Sequence, residues 1–141
     1  MSEFVSKFIN FEKYQIRNFI FKNDNEFIGN DEGVELDFDF GVTSAFTKDK
    51  KNAKITLSCK LFDEESYSCN ESPFFLDIEV DGFFSCTNDI DIEDFVVNST
   101  AILFPYLRSF VSSFTSQSGI ETITIPPVNI YELLTGNNNE E

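Results

Sequence analysis

The sequence contains no histidine and no tryptophan. Without histidine there is no His-based catalytic triad, no imidazole general base and no imidazole metal ligand. The cysteines are Cys59, Cys69 and Cys86. Their odd number and the absence of C-x-x-C spacing argue against a disulfide framework and against a structural zinc site. Cys59 falls on the apolar side of a strand pattern and reads as buried filler, which fits a reducing cytosol. The six glycines are scattered, so there is no Gly-rich phosphate loop. Positive charge is scarce: 10 basic residues stand against 25 acidic ones, a net charge of −15. That balance argues against nucleic acid and against an anionic membrane, both of which need positive surface. It suits a soluble, self-repelling particle or a basic partner. Long apolar runs are also missing. The longest, Ala101 to Leu107, ends at Arg108 and is far too short to cross a bilayer, so no direct membrane insertion is expected. Glu3 and Lys7 interrupt the apolar residues at the N-terminus, which does not read as a signal peptide.

The acidic residues do not assemble into a site either. Asp89, Asp91 and Glu93 begin like a calcium loop, but Asp94 stands where the turn needs glycine and Thr100 where it needs a bidentate glutamate. Glu35, Asp37 and Asp39 share one strand face and read as a solvated surface. A carboxylate needs a desolvated cleft to act as an acid at neutral pH. No catalytic residue, metal or cofactor is expected.

What the chain has in quantity is phenylalanine, 18 of 141 residues. Most must be core; the remainder form exposed aromatic surface, which marks binding sites. A chain of this length is one domain and buries about two-thirds of its unfolded surface.

Taken in order, Phe4, Val5, Phe8 and Phe11 suit a short helical turn or an edge strand, with the strand preferred. Tyr14–Phe21 is a first strand. Lys22–Gly33 is a polar, turn-forming loop interrupted by Phe27 and Ile28, which must rest on something. Val34–Phe40 alternates apolar and acidic residues, so one strand face is apolar and the other charged. A charged hairpin at Thr47–Asn52 leads to a strand at Lys54–Phe62, with Ile55, Leu57, Cys59 and Leu61 inward. After a polar turn, Asp63–Pro73, comes a fourth strand, Phe74–Phe84. It has Phe74, Leu76, Ile78 and Val80 on one side and Phe75, Asp77 and Glu79 on the other, with a bulge or turn at Asp81-Gly82. Short polar connections predict an antiparallel meander.

Glu93–Val97 reads as a short helical turn before a long helix. Ile102, Leu103, Tyr106, Phe110, Val111 and Phe114 recur at steps of three and four. Ser99 and Thr100 are capping types, Pro105 suits a first turn, and Gly119 can end the helix in a left-handed conformation. Thr122–Ile125 is β-rich, Pro126-Pro127 stops it, and a short apolar helix follows over Val128–Leu134; Asn129 is also a capping type, which leaves its start open. The predicted fold is α+β: a four-stranded antiparallel sheet, a long helix on one face, and a short C-terminal helix. Residues 1–135 form one domain and 136–141 a disordered acidic tail.

The C-terminal half carries a resemblance. Asn98, Ala101, Leu103, Phe104, Pro105, Tyr106 and Arg108, followed by Pro127, Val128, Asn129 and Ile130, resemble the two signatures of the SecB family of protein-export chaperones, in the same order and at about the same separation. The resemblance implies a cytoplasmic homotetramer, a dimer of dimers, that holds unfolded or non-native polypeptides without ATP. It implies a client-binding groove, one wall of which is the loop after the first strand. Phe27, Ile28, Phe83, Phe84, Ile130, Tyr131 and Leu134 are the groove candidates. It also implies docking on the SecA translocation motor, with Phe75 and Asp77 at the matching positions. Two other docking acids of the family fall on Asn18 and Lys22, and the tail lacks basic residues, so client binding carries over better than motor coupling. SecB-like chaperones also serve toxin–antitoxin pairs, which gives an alternative within the fold. A different class again is an acidic module that binds one folded partner through Glu35, Asp37 and Asp39.

Overall fold

A computed structural model describes residues 8–24, 27, 35–87 and 89–139. Its four strands are β1 (Ile9–Lys22), β2 (Phe38–Phe46), β3 (Asn52–Leu61) and β4 (Phe75–Cys86), all antiparallel, in the sheet order β1-β4-β3-β2. Only β2 to β4 form the expected meander. The first strand pairs with the last, so β1 and β2 lie at opposite edges. A short hairpin loop cannot join two strands so placed.

The helices are α1 (Glu64–Ser68), α2 (Val96–Thr115) and α3 (Ile130–Asn139), with a 3-10 turn at Ile92–Phe95 leading into α2. The period-two pattern of the strands decides which face α2 covers. Ile55, Leu57, Cys59 and Leu61 of β3 and Leu76 and Ile78 of β4 are fully buried, and so are Leu103, Leu107 and Val111 of α2. Gly82 lets the two layers meet. A Cβ there would lie 2.9 Å from a Leu103 methyl and 3.0 Å from the Phe84 ring.

Several local expectations are corrected. The sheet runs straight through Asp81-Gly82; the irregularities sit instead in β1, between Phe11 and Lys13 and between Ile16 and Asn18. The strand expected at Val34–Phe40 begins at Phe38 and continues to Phe46, and Val34 lies outside the described residues. The polar turn after β3 contains α1, because the Asp63 carboxylate accepts from Ser66 N at 2.7 Å and caps it. Its Tyr67 is buried, and Asp24 N donates to the Tyr67 hydroxyl at 2.8 Å. The long helix starts earlier than expected. Asp91 accepts from Glu93 N and opens the 3-10 turn, so Ser99 and Thr100 are interior, and the Thr100 hydroxyl donates to Val96 O at 2.8 Å. Pro105 is therefore mid-helix, on the exposed side, where water can serve the carbonyl it leaves unbonded. Gly119 is left-handed, with φ +94. Asn129 caps α3 by accepting from Glu132 N at 3.1 Å. That helix includes positions 136–139, which the sequence assigned to the tail; residues 140 and 141 lie outside the description.

The cysteines give a pH test. Burial, with smaller contributions from Asp39 and Asp77, pushes the Cys59 thiol from its ordinary 9.0 to about 12, whereas Cys69 is exposed. Above about pH 9 the unfolded chain releases a proton that the folded one keeps. The contribution is therefore intact below the unfolded value and falls as pH rises towards the folded one, by about 1.4 kcal/mol per pH unit. Urea melts at about pH 8 and about pH 10 are expected to show a smaller alkaline loss in Cys59→Ala than in the unaltered chain. Equal losses would remove Cys59 from the account.

Candidate functional site

One end of the domain is built from linked aromatic rings. Phe110 meets Phe19 at 5.1 Å, Phe19 meets Phe114 at 4.7 Å, and Phe114 meets Phe21 at 5.0 Å. Phe21 in turn lies 6.1 Å from Phe74, which lies 5.2 Å from Phe62. The near-perpendicular pairs put positive ring edges on negative ring faces. These rings tie α2 to β1 and to Phe74, the residue before β4, which is one wall of a groove of about 460 Å³.

Leu36 and Pro73 flank Phe74 along that wall, and the segment Ile120–Thr124 forms the other. The second wall is a strap after α2 that, for all its β-rich composition, has no regular secondary structure. Among the described residues it pairs with no strand. Its hydrogen bonds go to the end of the helix instead. The Ser112 hydroxyl donates to Ile123 O at 3.0 Å, and Ile123 N donates to the Thr115 hydroxyl at 2.9 Å. Ile123 and Ile125 are buried while Thr122 and Thr124 face out, so the alternation survives without a sheet. The groove thus has an apolar floor, a hydroxyl-bearing rim and one exposed carboxylate, Glu121. It can take extended chain with apolar side chains, because burial of such groups is favourable and non-directional.

The expected groove residues scatter. Phe27 is half-buried, and Ile28 lies outside the described residues. Phe83 and Phe84 point to opposite faces, because β4 does not turn at Gly82. Phe84 is a core residue, 1% exposed, with its ring 5.1 Å from Phe11, which leaves it no surface to offer. Phe83 is half-buried on the face away from α2, under the ammonium of Lys13. On α3, Ile130 is half-buried against the core, Leu134 is half-buried, and Tyr131 is 65% exposed. Of the docking pair, Asp77 is half-buried beside Lys60, and Phe75 is 4% exposed. Sequence reasoning passed over Leu36, Pro73 and Ile120. The Thr-Ile alternation before Pro126 was the available signal for the strap, and nothing in the pattern of Leu36 separates a groove wall from a strand interior.

A second apolar surface lies at the β1 edge. The Tyr14 and Tyr106 rings meet at 4.6 Å, tilted by 39°, Phe11 meets Tyr106 at 5.2 Å, and Tyr14, Ile16 and Tyr106 are 44%, 40% and 39% exposed. Among the described residues no group of three or more Cys, Asp or Glu side chains is placed to hold a metal, and no helix is long and apolar enough to cross a membrane.

No protein-family model matches the chain. It is 34% identical over 109 residues to the uncharacterized protein MJ0357 of Methanocaldococcus jannaschii, across 75% of this chain and 70% of that one. Among solved structures it superposes on a SecB-like chaperone of Mycobacterium tuberculosis, Rv1957, in complex with a ChAD peptide from the antitoxin HigA1. The TM-score is 0.67 at 12% identity, covering 88% of this chain and 93% of that one. A protein of unknown function from Streptococcus agalactiae overlaps at a TM-score of 0.48 and 12% identity, covering 84% and 97%. The chain therefore belongs by sequence to the family of MJ0357, and its fold, a four-stranded antiparallel sheet carrying one long and one short C-terminal helix, is SecB-like.

Proposed function

We propose that this protein is an ATP-independent holdase, a chaperone that binds unfolded or non-native polypeptides in the groove between Phe74 and the Ile120–Thr124 strap. The observation that carries the reading is the apolar groove of about 460 Å³ on a SecB-like frame. An unfolded client exposes apolar side chains and free backbone groups, and the groove offers an apolar floor beside hydroxyls. Phe27, Ile28, Ile130, Tyr131 and Leu134 extend the client surface in this proposal, and Phe83 lies on the other sheet face. Several grooves per particle would add avidity. The assembly proposed is a cytoplasmic homotetramer, a dimer of dimers. The exposed Tyr14, Ile16 and Tyr106 at an edge strand support self-association, since bare edges and apolar patches pair readily.

Two client routes follow. Export would require docking on SecA through Phe75 and Asp77. The burial of Phe75 weighs against that route, and so does Lys22, which stands where an acid is expected and pairs with Glu64 at 2.8 Å. Service to a toxin–antitoxin pair is favoured by the peptide that the mycobacterial fold neighbour carries. The holdase reading is tested by light scattering from a denatured client diluted into increasing amounts of the protein without ATP. Suppression at roughly one assembled particle per client is expected. Unchanged aggregation of several unrelated clients would overturn a general holdase.

A further inference from the structure

The sheet face away from α2 carries a feature that the groove does not use. One register row crosses all four strands: Ala45 on β2 opposes Lys54 on β3, which opposes Phe83 on β4, which opposes Lys13 on β1. An aromatic residue thus has a lysine opposite it on each neighbouring strand. Lys13 Nζ stands 5.1 Å from the Phe83 ring centre. Beside the ring lies a depression of about 280 Å³, walled by Ala45, Phe46, Ala53 and Lys54.

The lysines are the unexpected part. Acids outnumber bases 25 to 10 in this chain. Even so, no carboxylate among the described residues lies within ion-pair distance of Lys13 or Lys54. The neighbouring acids are otherwise engaged. In the adjacent row, the Asp81 carboxylate takes Arg17 at 3.1 Å and the Thr56 hydroxyl at 2.6 Å. Glu12 accepts from the Ser85 hydroxyl. Lys54 therefore lines the hollow and Lys13 stands over the Phe83 ring beside it, neither with a carboxylate partner among the described residues, on a protein whose overall field repels anions.

We propose that this row docks an extended acidic segment of a partner protein, with one aromatic or aliphatic side chain in the hollow and flanking carboxylates on Lys13 and Lys54. The volume suits a single side chain; drug-sized ligands take larger pockets, about 300–1,000 Å³. A polyanion such as nucleic acid is disfavoured, because its remaining charges would meet a net −15. A short segment with two or three acids meets only the local lysines. The hollow also opens at the end of β2, whose Thr43, Ser44 and Ala45 are exposed and which has no strand on its outer side among the described residues, so an extended chain can lie alongside it.

The test uses the full chain and a fluorescein-labelled peptide, capped at both ends, with one phenylalanine between two aspartates, followed by anisotropy. The control peptide has asparagine for aspartate. The acidic peptide is expected to bind about tenfold tighter than the control, and to weaken as salt screens the lysines. Lys13→Glu with Lys54→Glu is expected to abolish that preference while leaving capture of an unfolded client in the groove unchanged. If this pair of reversals unfolds the chain, Lys13→Gln with Lys54→Gln replaces it. Phe83→Ser is expected to weaken both peptides alike. Equal binding of the two peptides, an acidic preference that survives loss of both lysines, or displacement by inorganic phosphate alone would each overturn the proposal.

Discussion

Leu103→Ala is expected to destabilise the fold by about 3–5 kcal/mol, at the upper end of large-to-small core changes. Leu103 is fully buried where α2 crosses the sheet, and its methyls sit above Gly82. Truncation removes the transfer free energy of its side chain and leaves a cavity that a rigid sheet cannot close. A domain of this size has about 5–15 kcal/mol in total, so the loss is a large share. A lower urea midpoint at unchanged slope is the readout. Gly82→Ala alone is expected to cost about 1–3 kcal/mol, because its new Cβ meets Leu103 at 2.9 Å. Combined with Leu103→Ala, the same Cβ loses its two closest leucine contacts and keeps only the Phe84 ring at 3.0 Å, so the double variant should be more stable than the sum of the two losses. Strict additivity would mean that the glycine is there for some other reason than helix approach.

The second large effect is functional. Leu36→Asp and Phe27→Asp each place a carboxylate beside an apolar surface that would otherwise receive a client. Leu36 is 37% exposed and Phe27 half-buried, so neither change has to break the core. A carboxylate in a groove that must be desolvated opposes binding strongly. An affinity loss of about tenfold or more for an unfolded polypeptide is expected from each, with the midpoint of unfolding nearly unchanged. Full client binding by both variants would move the site elsewhere on the domain.

The layers were legible in the sequence where one periodicity spoke alone. Ile55, Leu57, Cys59 and Leu61 alternate cleanly, and all four are fully buried. The long helix was readable from its spacing, but its start was not. Asp91 sits in an acidic stretch that resembles solvated surface, and only the geometry reveals it as a cap. The order of the strands was not legible either. Strand patterns carry no record of which edges meet, and the partner of β1 lies some 60 residues away by sequence. The groove was the hardest part. Leu36 belongs to an alternation that reads as strand and Ile120 has no pattern of its own, and they become a site only when the strap folds back through Thr115 and Ser112. Phe83 and Phe84 show the reverse error. Two adjacent phenylalanines look like one aromatic patch, yet an unbroken strand sends them to opposite faces.

The most direct test of the account is binding of a permanently unfolded polypeptide, made by carboxymethylating the reduced cysteines of a small disulfide protein. Titration calorimetry would compare it with the same protein in its native, disulfide-bonded form. The account predicts binding of the unfolded form alone, with a negative heat-capacity change from apolar burial and no effect of ATP. Equal binding of the native form, or no binding of either, would contradict a chaperone that recognises the non-native state.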